Sequence, residues 1–304
     1  MNKFDVIGFG ALNVDTLLKV DKLAAAEEES FIQDYTEACG GSAANTIVGL
    51  ARLGSKVGFI GKVADDREGK LQLDCFKAEG VDTEGITVAA KGKSGAVLGF
   101  VDKKGARALY VNTGVNGLIE PRDLKAEYLS RTQYLHLSSF IGDKSFRTQK
   151  KLLSSLPATI KISFDPGSVY AQRGFAAIEP MIQNSHVFMP NAGELEMLTG
   201  EADYRKGAEV ILGLGVKIVA VKLGEKGCYV TDGEQSLSVE PFKVPVVDTT
   251  GAGDAFNAGF LYGLINSKIL YECGRLGNFV ASRCVMKMGA REGLPYAKDL
   301  AMFE

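Results

Sequence analysis

The 304-residue chain has no run approaching the ~18 consecutive apolar residues that a membrane helix needs, so no membrane partner is expected. It has no excess of either charge. Lys and Arg number 35 against 37 Asp and Glu, and the formal net charge of −2 gives no electrostatic case for nucleic acid or an anionic lipid surface. It has only two histidines, His136 and His186, in apolar segments without companions at metal-ligand spacing, and structural roles are expected of both. Its five cysteines (Cys39, Cys75, Cys228, Cys273, Cys284) are odd in number, widely spaced and form no CxxC, the pattern of reduced cytosolic thiols filling small core positions. There is no Pro/Ser-rich linker, no short repeat and no low-complexity tract, which excludes solenoids and tethered modules. The opening MNKFDVIGFGALNVD breaks its apolar run at Asp5, Asn13 and Asp15 and has no small-residue cleavage site; it does not read as a signal peptide, and a cytoplasmic protein is expected.

What the chain does have is globular composition, 46% hydrophobic and 24% charged, enough to bury one large core or two and far from disorder. Glycine is in excess: 36 residues, where an average of ~7% predicts far fewer. Such a surplus implies tight turns and close backbone approaches, which suit the handling of phosphates.

The periodicity alternates. Asp5–Phe9, Lys56–Ile60, Tyr134–Leu137, Ile160–Phe164, Val187–Met189 and Ile218–Val221 read as buried strands, with helical stretches such as Ser42–Gly54 and Arg67–Gly80 between them. This rhythm predicts an α/β fold, a doubly wound, mostly parallel sheet with helices on both faces. Thr16–Val20, Phe31–Tyr35, Gly95–Val101 and Ala106–Val111 depart from it as short half-exposed strands. They are read as a small β-sheet lid, inserted at about 16–38 and 95–112 into a single domain spanning 1–304.

The most informative string is Asp248-Thr249-Thr250-Gly251-Ala252-Gly253-Asp254, which follows a strand-like Lys243–Val247 and opens an apolar helix. Gly251, Ala252 and Gly253 let successive N–H groups converge at a helix N-terminus, a nest that holds an anion and stabilises charge on a transferring phosphoryl group. Asp254, in the first turn, is expected to stay ionised and to accept a proton from an attacking hydroxyl. Asn13 and Asp15, just after the first strand, pair an amide with a carboxylate in a way that suits sugar hydroxyls and equally suits a polar turn. Gly40-Gly41 and Asn45 open the next helix towards the same crevice. Asn191 and Glu194 stand three apart at a helix start, where a capping box is the local alternative to a ligand role. Lys222-Leu223-Gly224-Glu225-Lys226-Gly227 follows a strong strand and is, by itself, a hairpin turn.

Taken together these strings resemble the ribokinase-like (PfkB) family of carbohydrate and nucleoside kinases. The carboxy-terminal signature is matched by Asp248–Asp254 and the amino-terminal one by Cys39-Gly40-Gly41-Ser42-Ala43-Ala44-Asn45-Thr46. Gly10-Ala11-Leu12-Asn13-Val14-Asp15 and Asn191-Ala192-Gly193-Glu194 stand in family order, so the likeness covers essentially the whole chain. It implies ATP-dependent phosphorylation of a hydroxymethyl group on a sugar, with a nucleoside as the alternative acceptor. Asp254 would be the base, and Asn13, Asp15, Gly41 and Asn45 would contact the sugar. Asn191 and Glu194 would organise Mg²⁺ through water; Lys222, Gly224, Gly227 and Asn278 would line the nucleotide. K⁺ would sit near Asp248, Thr250 and the backbone around Gly289, and lids would pair in a homodimer. Two departures stand out. Arg291-Glu292-Gly293 offers no serine where the family often has one, and Ser138-Ser139 replaces the glutamate that follows the Leu135–Leu137 strand in ribokinases. With Ser138 and Asn112 as neutral hydrogen-bonding groups and Phe100 and Tyr110 as aromatic walls, the balance of polar groups favours a free pentose or hexose over a nucleoside. Two readings from other classes compete. A dinucleotide-binding dehydrogenase fails because Asn13 replaces the third glycine of its fingerprint, and a non-catalytic sugar-binding regulator sits poorly with an intact Gly251–Asp254 string.

Overall fold

The computed structural model describes residues 3–104 and 106–303 and contains two sheets, one of nine strands and one of four. In chain order the strands are β1 (Phe4–Phe9), β2 (Asn13–Val20), β3 (Ile32–Gly40), β4 (Val57–Ala64), β5 (Ile86–Ala89), β6 (Gly95–Val101) and β7 (Arg107–Asn112). There follow β8 (Thr132–Leu137), β9 (Lys161–Phe164), β10 (Val187–Phe188), β11 (Ile218–Lys222), β12 (Cys228–Thr231) and β13 (Ser236–Val239). The large sheet runs β13-β12-β11-β10-β9-β8-β1-β4-β5, parallel throughout except for the terminal hairpin β11-β12-β13. From β1 the chain builds outward through β4 to β5, then restarts at β8 on the other side of β1 and builds outward the opposite way. The order therefore reverses between β1 and β8, and ligands of open α/β sheets bind in the crevice beyond the carboxyl ends at such a reversal. Those two ends carry Gly10 and Ser138.

Each strand is apolar on both sides because helices cover both faces. Val187 and Ala220 enter one core, shared with α1 (Ser42–Arg52), α2 (Arg67–Ala78), and two later helices that pack on each other. Phe188, Val219 and Val221 point to the opposite core, under α3 (Ala126–Leu129), α4 (Asp143–Leu153), α5 (Gly167–Ala171), α6 (Phe175–Gln183), α7 (Ala192–Thr199) and α8 (Tyr204–Gly213). The later pair are α9 (Ala252–Ile265) and α10 (Leu270–Cys284). Fully buried side chains such as Phe164, Phe188 and Phe260 each contribute roughly 1.5–3 kcal/mol of transfer free energy.

The four-stranded sheet has the order β3-β2-β6-β7, with β2 and β6 parallel and the outer pairs antiparallel. Its strands run further toward the crevice than their alternation indicates: Asn13, Asp15 and Gly40 belong to β2 and β3 rather than to turns. Two other expectations are corrected. Lys243–Val247 is not a strand; Pro241 and Pro245 remove ladder donors, and the segment is held instead by Val247 N–H donating to the Val285 carbonyl. Cys39 and Cys75 are not separate thiols but a disulfide, since the end of β3 packs over α2, a proximity that their spacing does not show; Cys228, Cys273 and Cys284 are free and buried.

Candidate active site

Helix α9 begins without a side-chain cap. Its N-cap is Gly251, at φ 76° in the left-handed region, where a Cβ would stand 2.5 Å from the Cβ of Ala290. Only glycine fits there; Ala252 N–H donates to the Thr249 carbonyl, and with no side chain at the N-cap the next amides, of Gly253 and Asp254, are left without a side-chain cap. Asp248 braces the approach, with Oδ1 accepting from Thr250 N–H and Oγ and Oδ2 accepting from Gly289 N–H.

Asp254 projects from this first turn. Its Oδ2 accepts from Asn45 Nδ2 at 2.9 Å, and its carbonyl accepts from the Thr46 hydroxyl, so α1 orients it from across the crevice. Burial raises its pKa to about 7, against the lowering effect of the Asn45 hydrogen bond. Against the expectation of a carboxylate held ionised by the helix terminus, desolvation here outweighs the Asn45 hydrogen bond and the Lys222 and Arg291 charges. A pKa near the working pH is what a general base requires.

Gly41, at φ 110°, caps α1 where a Cβ would collide with the Ala11 carbonyl oxygen. Ser138 Oγ accepts from Ala43 N–H at 3.1 Å, so Ser138 fixes the start of α1 while also lining the cleft. On β2, Asn13 Oδ1 accepts from Asn116, and Asn116 in turn clasps the backbone of Leu12. Gln72 on α2 donates to the Asn13 carbonyl. Burial raises the Asp15 carboxyl to about 6, with the Arg291 charge opposing, and its Oδ1 is buried without a partner.

Sheet register separates other candidates from this group. Asp15 pairs with Val97, and Val97 with Val111, so these share one face. Leu18 pairs with Phe100, Leu98 with Tyr110 and Ala96 with Asn112, all on the opposite face. Phe100 and Tyr110 therefore do not wall the crevice; they contact each other edge-on at 5.9 Å. Asn112 is exposed and accepts from Gly114 N–H, closing its own turn. Asn278 is also spent on structure, donating to the carbonyls of Val239 and Glu240.

Beside Asp254 opens a cleft of about 380 Å³ lined by Ser42, Ser138, Ser139, Asp165, Gly167, Ser168, Asn191, Glu194, Lys222, Gly224, Gly253 and Asp254. Asn191 and Glu194 form the complete capping box of α7, each side chain bonding the other's backbone at 2.8 Å, and still face the cleft. Glu194 Oε2 makes that bond and Oε1 makes none among the described residues; burial and the Asp165 charge raise its pKa. Lys222 Nζ meets Asp165 Oδ2 at 2.5 Å, and Asn257 donates to the same oxygen. Burial alone would neutralise both charges, but the Asp165 carboxylate holds the lysine pKa up and the ammonium holds that of Asp165 down. Gly224 borders this cleft, whereas Gly227 turns the β11-β12 hairpin against the Val239 carbonyl. His136 is wholly buried, its Nδ1 against Ser163 Oγ, and burial lowers its pKa to about 4.

Asp165, Asn116, Gln72 and Asn257 were not singled out by sequence. Asp165 had the clearest signal, an acidic residue directly following an apolar strand in Phe164-Asp165-Pro166-Gly167.

A helix N-terminus with a buried carboxylate in its first turn, a cleft-lining lysine and two further carboxylates border one cleft, an arrangement that suits phosphoryl transfer. The chain belongs to the pfkB family of carbohydrate kinases, whose model matches residues 3–297, and it is a carbohydrate kinase of ribokinase-like fold. It is 47% identical over 255 residues to an uncharacterized sugar kinase of Archaeoglobus fulgidus, covering 83% of this chain and 100% of that one. It is 30% identical to an ATP-dependent ribose-1-phosphate kinase of Halopiger xanaduensis, covering 98% and 97%. The crystal structure of ribokinase from Thermotoga maritima superposes with a TM-score of 0.89 at 27% identity, covering 99% of both chains.

Proposed function

We propose that the protein moves the γ-phosphoryl group of ATP to a hydroxymethyl group of a sugar, with Asp254 taking the hydroxyl proton. The observation that carries this is the placement of Asp254. It is oriented by Asn45, tuned by burial to about 7, and set in the same helical turn as the Gly253 amide, which would face a developing phosphoryl charge. Asn13, Asp15 and Asn45 hold the acceptor so that its hydroxyl meets Asp254, and positioning of this kind removes much of the entropic barrier.

Lys222 faces the cleft from the other side and is fixed as a cation by Asp165. Gly224 and Asn191 border the same space, where the nucleotide phosphates would lie. Among the described residues no cluster of three acidic, cysteine or histidine side chains cages a metal. Two cleft carboxylates, Asp165 and Glu194, fit Mg²⁺ that keeps most of its water and its phosphate ligands. When bound, that ion neutralises charge on the phosphates. A K⁺ site at Asp248 and Thr250 rests on the family resemblance; the geometry gives the Asp248 carboxylate a bracing role in the nest.

The Halopiger relative acts on a phosphorylated ribose, so sugar phosphates belong among the acceptors to be tried alongside free pentoses and hexoses. For assembly we infer a homodimer through the small sheet. Its Tyr35, Leu98 and Tyr110 share one exposed face, and a second copy would cover it.

The test is ADP release from Mg·ATP in a coupled assay over neutral sugars, sugar phosphates, sugar acids and nucleosides. Turnover with at least one sugar is expected. Turnover confined to nucleosides, or none with any acceptor, would overturn the reading.

A further inference from the structure

Leu12 ends the connection from β1 to β2, and a single side chain binds both of its backbone groups. Asn116 Oδ1 accepts from Leu12 N–H at 3.0 Å, and Asn116 Nδ2 donates to the Leu12 carbonyl at 2.7 Å. The same Nδ2 donates its other hydrogen to Asn13 Oδ1 at 3.0 Å. Asn116 is 2% exposed and lies in a short 3₁₀ helix, Gly114–Leu118, just after β7. Ser145 of α4 grips that segment, donating to the Asn116 carbonyl and accepting from Ile119 N–H. Gly95, the β6 residue paired with Asn13, lies against the Asn13–Asn116 bond. A Cβ there would strike Asn116 Nδ2, Asn13 Oδ1 and the Leu12 carbonyl oxygen.

This donor pattern has one solution. Leu12 offers a carbonyl and an N–H, and the reversed Asn116 amide would set oxygen against oxygen and N–H against N–H. Asn116 therefore always presents an N–H to Asn13, and Asn13 turns its oxygen inward to meet it. The Asn13 Nδ2 is left over: it bonds nothing among the described residues, and solvent reaches it. Asp15 stands two residues further along the same face of β2, and its carboxylate accepts. The crevice end of β2 thus shows a donor beside an acceptor.

We propose that Asn116 is a positioning residue for the sugar, holding Asn13 so that it donates to one oxygen of the acceptor while Asp15 accepts from a neighbouring hydroxyl. This rests on the sugar-kinase reading above and deepens it by fixing the polarity of the contact. The group facing Asn13 is recognised through its lone pairs, and the group facing Asp15 through its proton.

The first measurement needs only the wild type. In the sugar with the highest kcat/KM, each hydroxyl is replaced in turn by hydrogen and by fluorine, which accepts a weak hydrogen bond and donates none. At one position the fluoro sugar should show a KM at least about threefold below that of the deoxy sugar, and at its neighbour both should be equally poor. Fluorine that restores binding at no position overturns the proposal. The second measurement is a double-mutant cycle. Asn116→Asp keeps the partner of Leu12 N–H but has no hydrogen for Asn13, whose amide then turns its N–H inward. The sugar KM should rise about fivefold or more, as in Asn13→Ala, while the Mg·ATP KM stays within about twofold. In the Asn13→Ala background, Asn116→Asp should add less than about twofold, because its effect passes through Asn13. An unchanged sugar KM, equal losses for sugar and ATP, or effects that multiply in the double variant would make Asn116 a backbone brace alone and overturn the proposal. If Asn116→Asp does not fold, the analogue series decides by itself. Failure of either measurement leaves the sugar-kinase reading standing, whereas a wild type that turns over no sugar overturns both.

Discussion

Replacing Asp254 by Asn removes the proton acceptor while changing almost nothing else around it. The Asn45 amide still has an oxygen to bond, the Thr46 hydroxyl binds the Asp254 backbone, and the amides of α9 are untouched. General-base catalysis contributes about 10²–10⁴-fold, which at about 1.36 kcal/mol per decade is roughly 2.7–5.4 kcal/mol of transition-state stabilisation. Turnover should fall by that factor, with the Mg·ATP KM within about twofold of wild type, because Lys222 and the nest are intact. The wild-type kcat/KM should rise with pH and level off above about 7 as Asp254 ionises, and the variant should lack this limb. Stability adds an independent check. Because burial lifts the pKa from 3.8 to about 7, the folded protein keeps a proton that the unfolded chain gives up. That contribution is complete below 3.8 and lost as pH rises through 7, so Tm of the variant minus Tm of wild type should grow from pH 4 to pH 8. Steady-state kinetics and melts across that range measure both. A variant retaining a third or more of wild-type turnover, or the same pH limb, would refute Asp254 as the base.

Three further outcomes follow from the geometry. Gly251→Ala places a Cβ against Ala290 at positive φ, a strain of about 1–2 kcal/mol before any clash; kcat should drop at least tenfold together with Tm, and an unchanged kcat would remove the nest from the mechanism. Lys222→Met leaves Asp165 buried and unpaired, a loss of about 3–5 kcal/mol for such pairs; adding Asp165→Asn should restore much of the Tm but not the Mg·ATP affinity, and recovery of both would make the pair purely structural. Light scattering at micromolar concentration should give a dimer that Tyr110→Glu dissociates, and a wild-type monomer would contradict pairing through the small sheet.

Six strands of the large sheet (β1, β4 and β8 to β11) were legible from their apolar runs, and α1 and α2 from a glycine stop or a polar cap, as at Gly54 and Asp66, whereas β5, β12 and β13 were not read. The nest was legible because Gly251, Gly253 and Asp254 are adjacent in sequence, so their chemistry is local. What pattern reading could not supply was long-range adjacency. Arg291 meets Asn45 and Asp165 meets Lys222 only after α/β winding brings separate strand ends together. Cys39 and Cys75 meet only because β3 ends over α2. The face of a short exposed strand was equally hidden. Both sides of β7 are open to solvent, so no alternation in its residues shows that Tyr110 and Asn112 turn away from Asp15. Asn191 and Glu194 show the reverse case, a complete capping box that also borders the cleft, so local and functional readings coexist at one pair of residues.

The central claim is transfer of a phosphoryl group to a sugar hydroxymethyl at Asp254, and the structure of the product tests it most directly. The acceptor with the highest kcat/KM should be turned over with Mg·ATP and the product examined by proton-coupled ³¹P NMR. The account predicts a single new phosphomonoester resonance split as a triplet by the two protons of a CH₂–O group, formed in equal amount to ADP and absent with Asp254→Asn. Inorganic phosphate as the only product, or a doublet from phosphate on a ring hydroxyl, would contradict it.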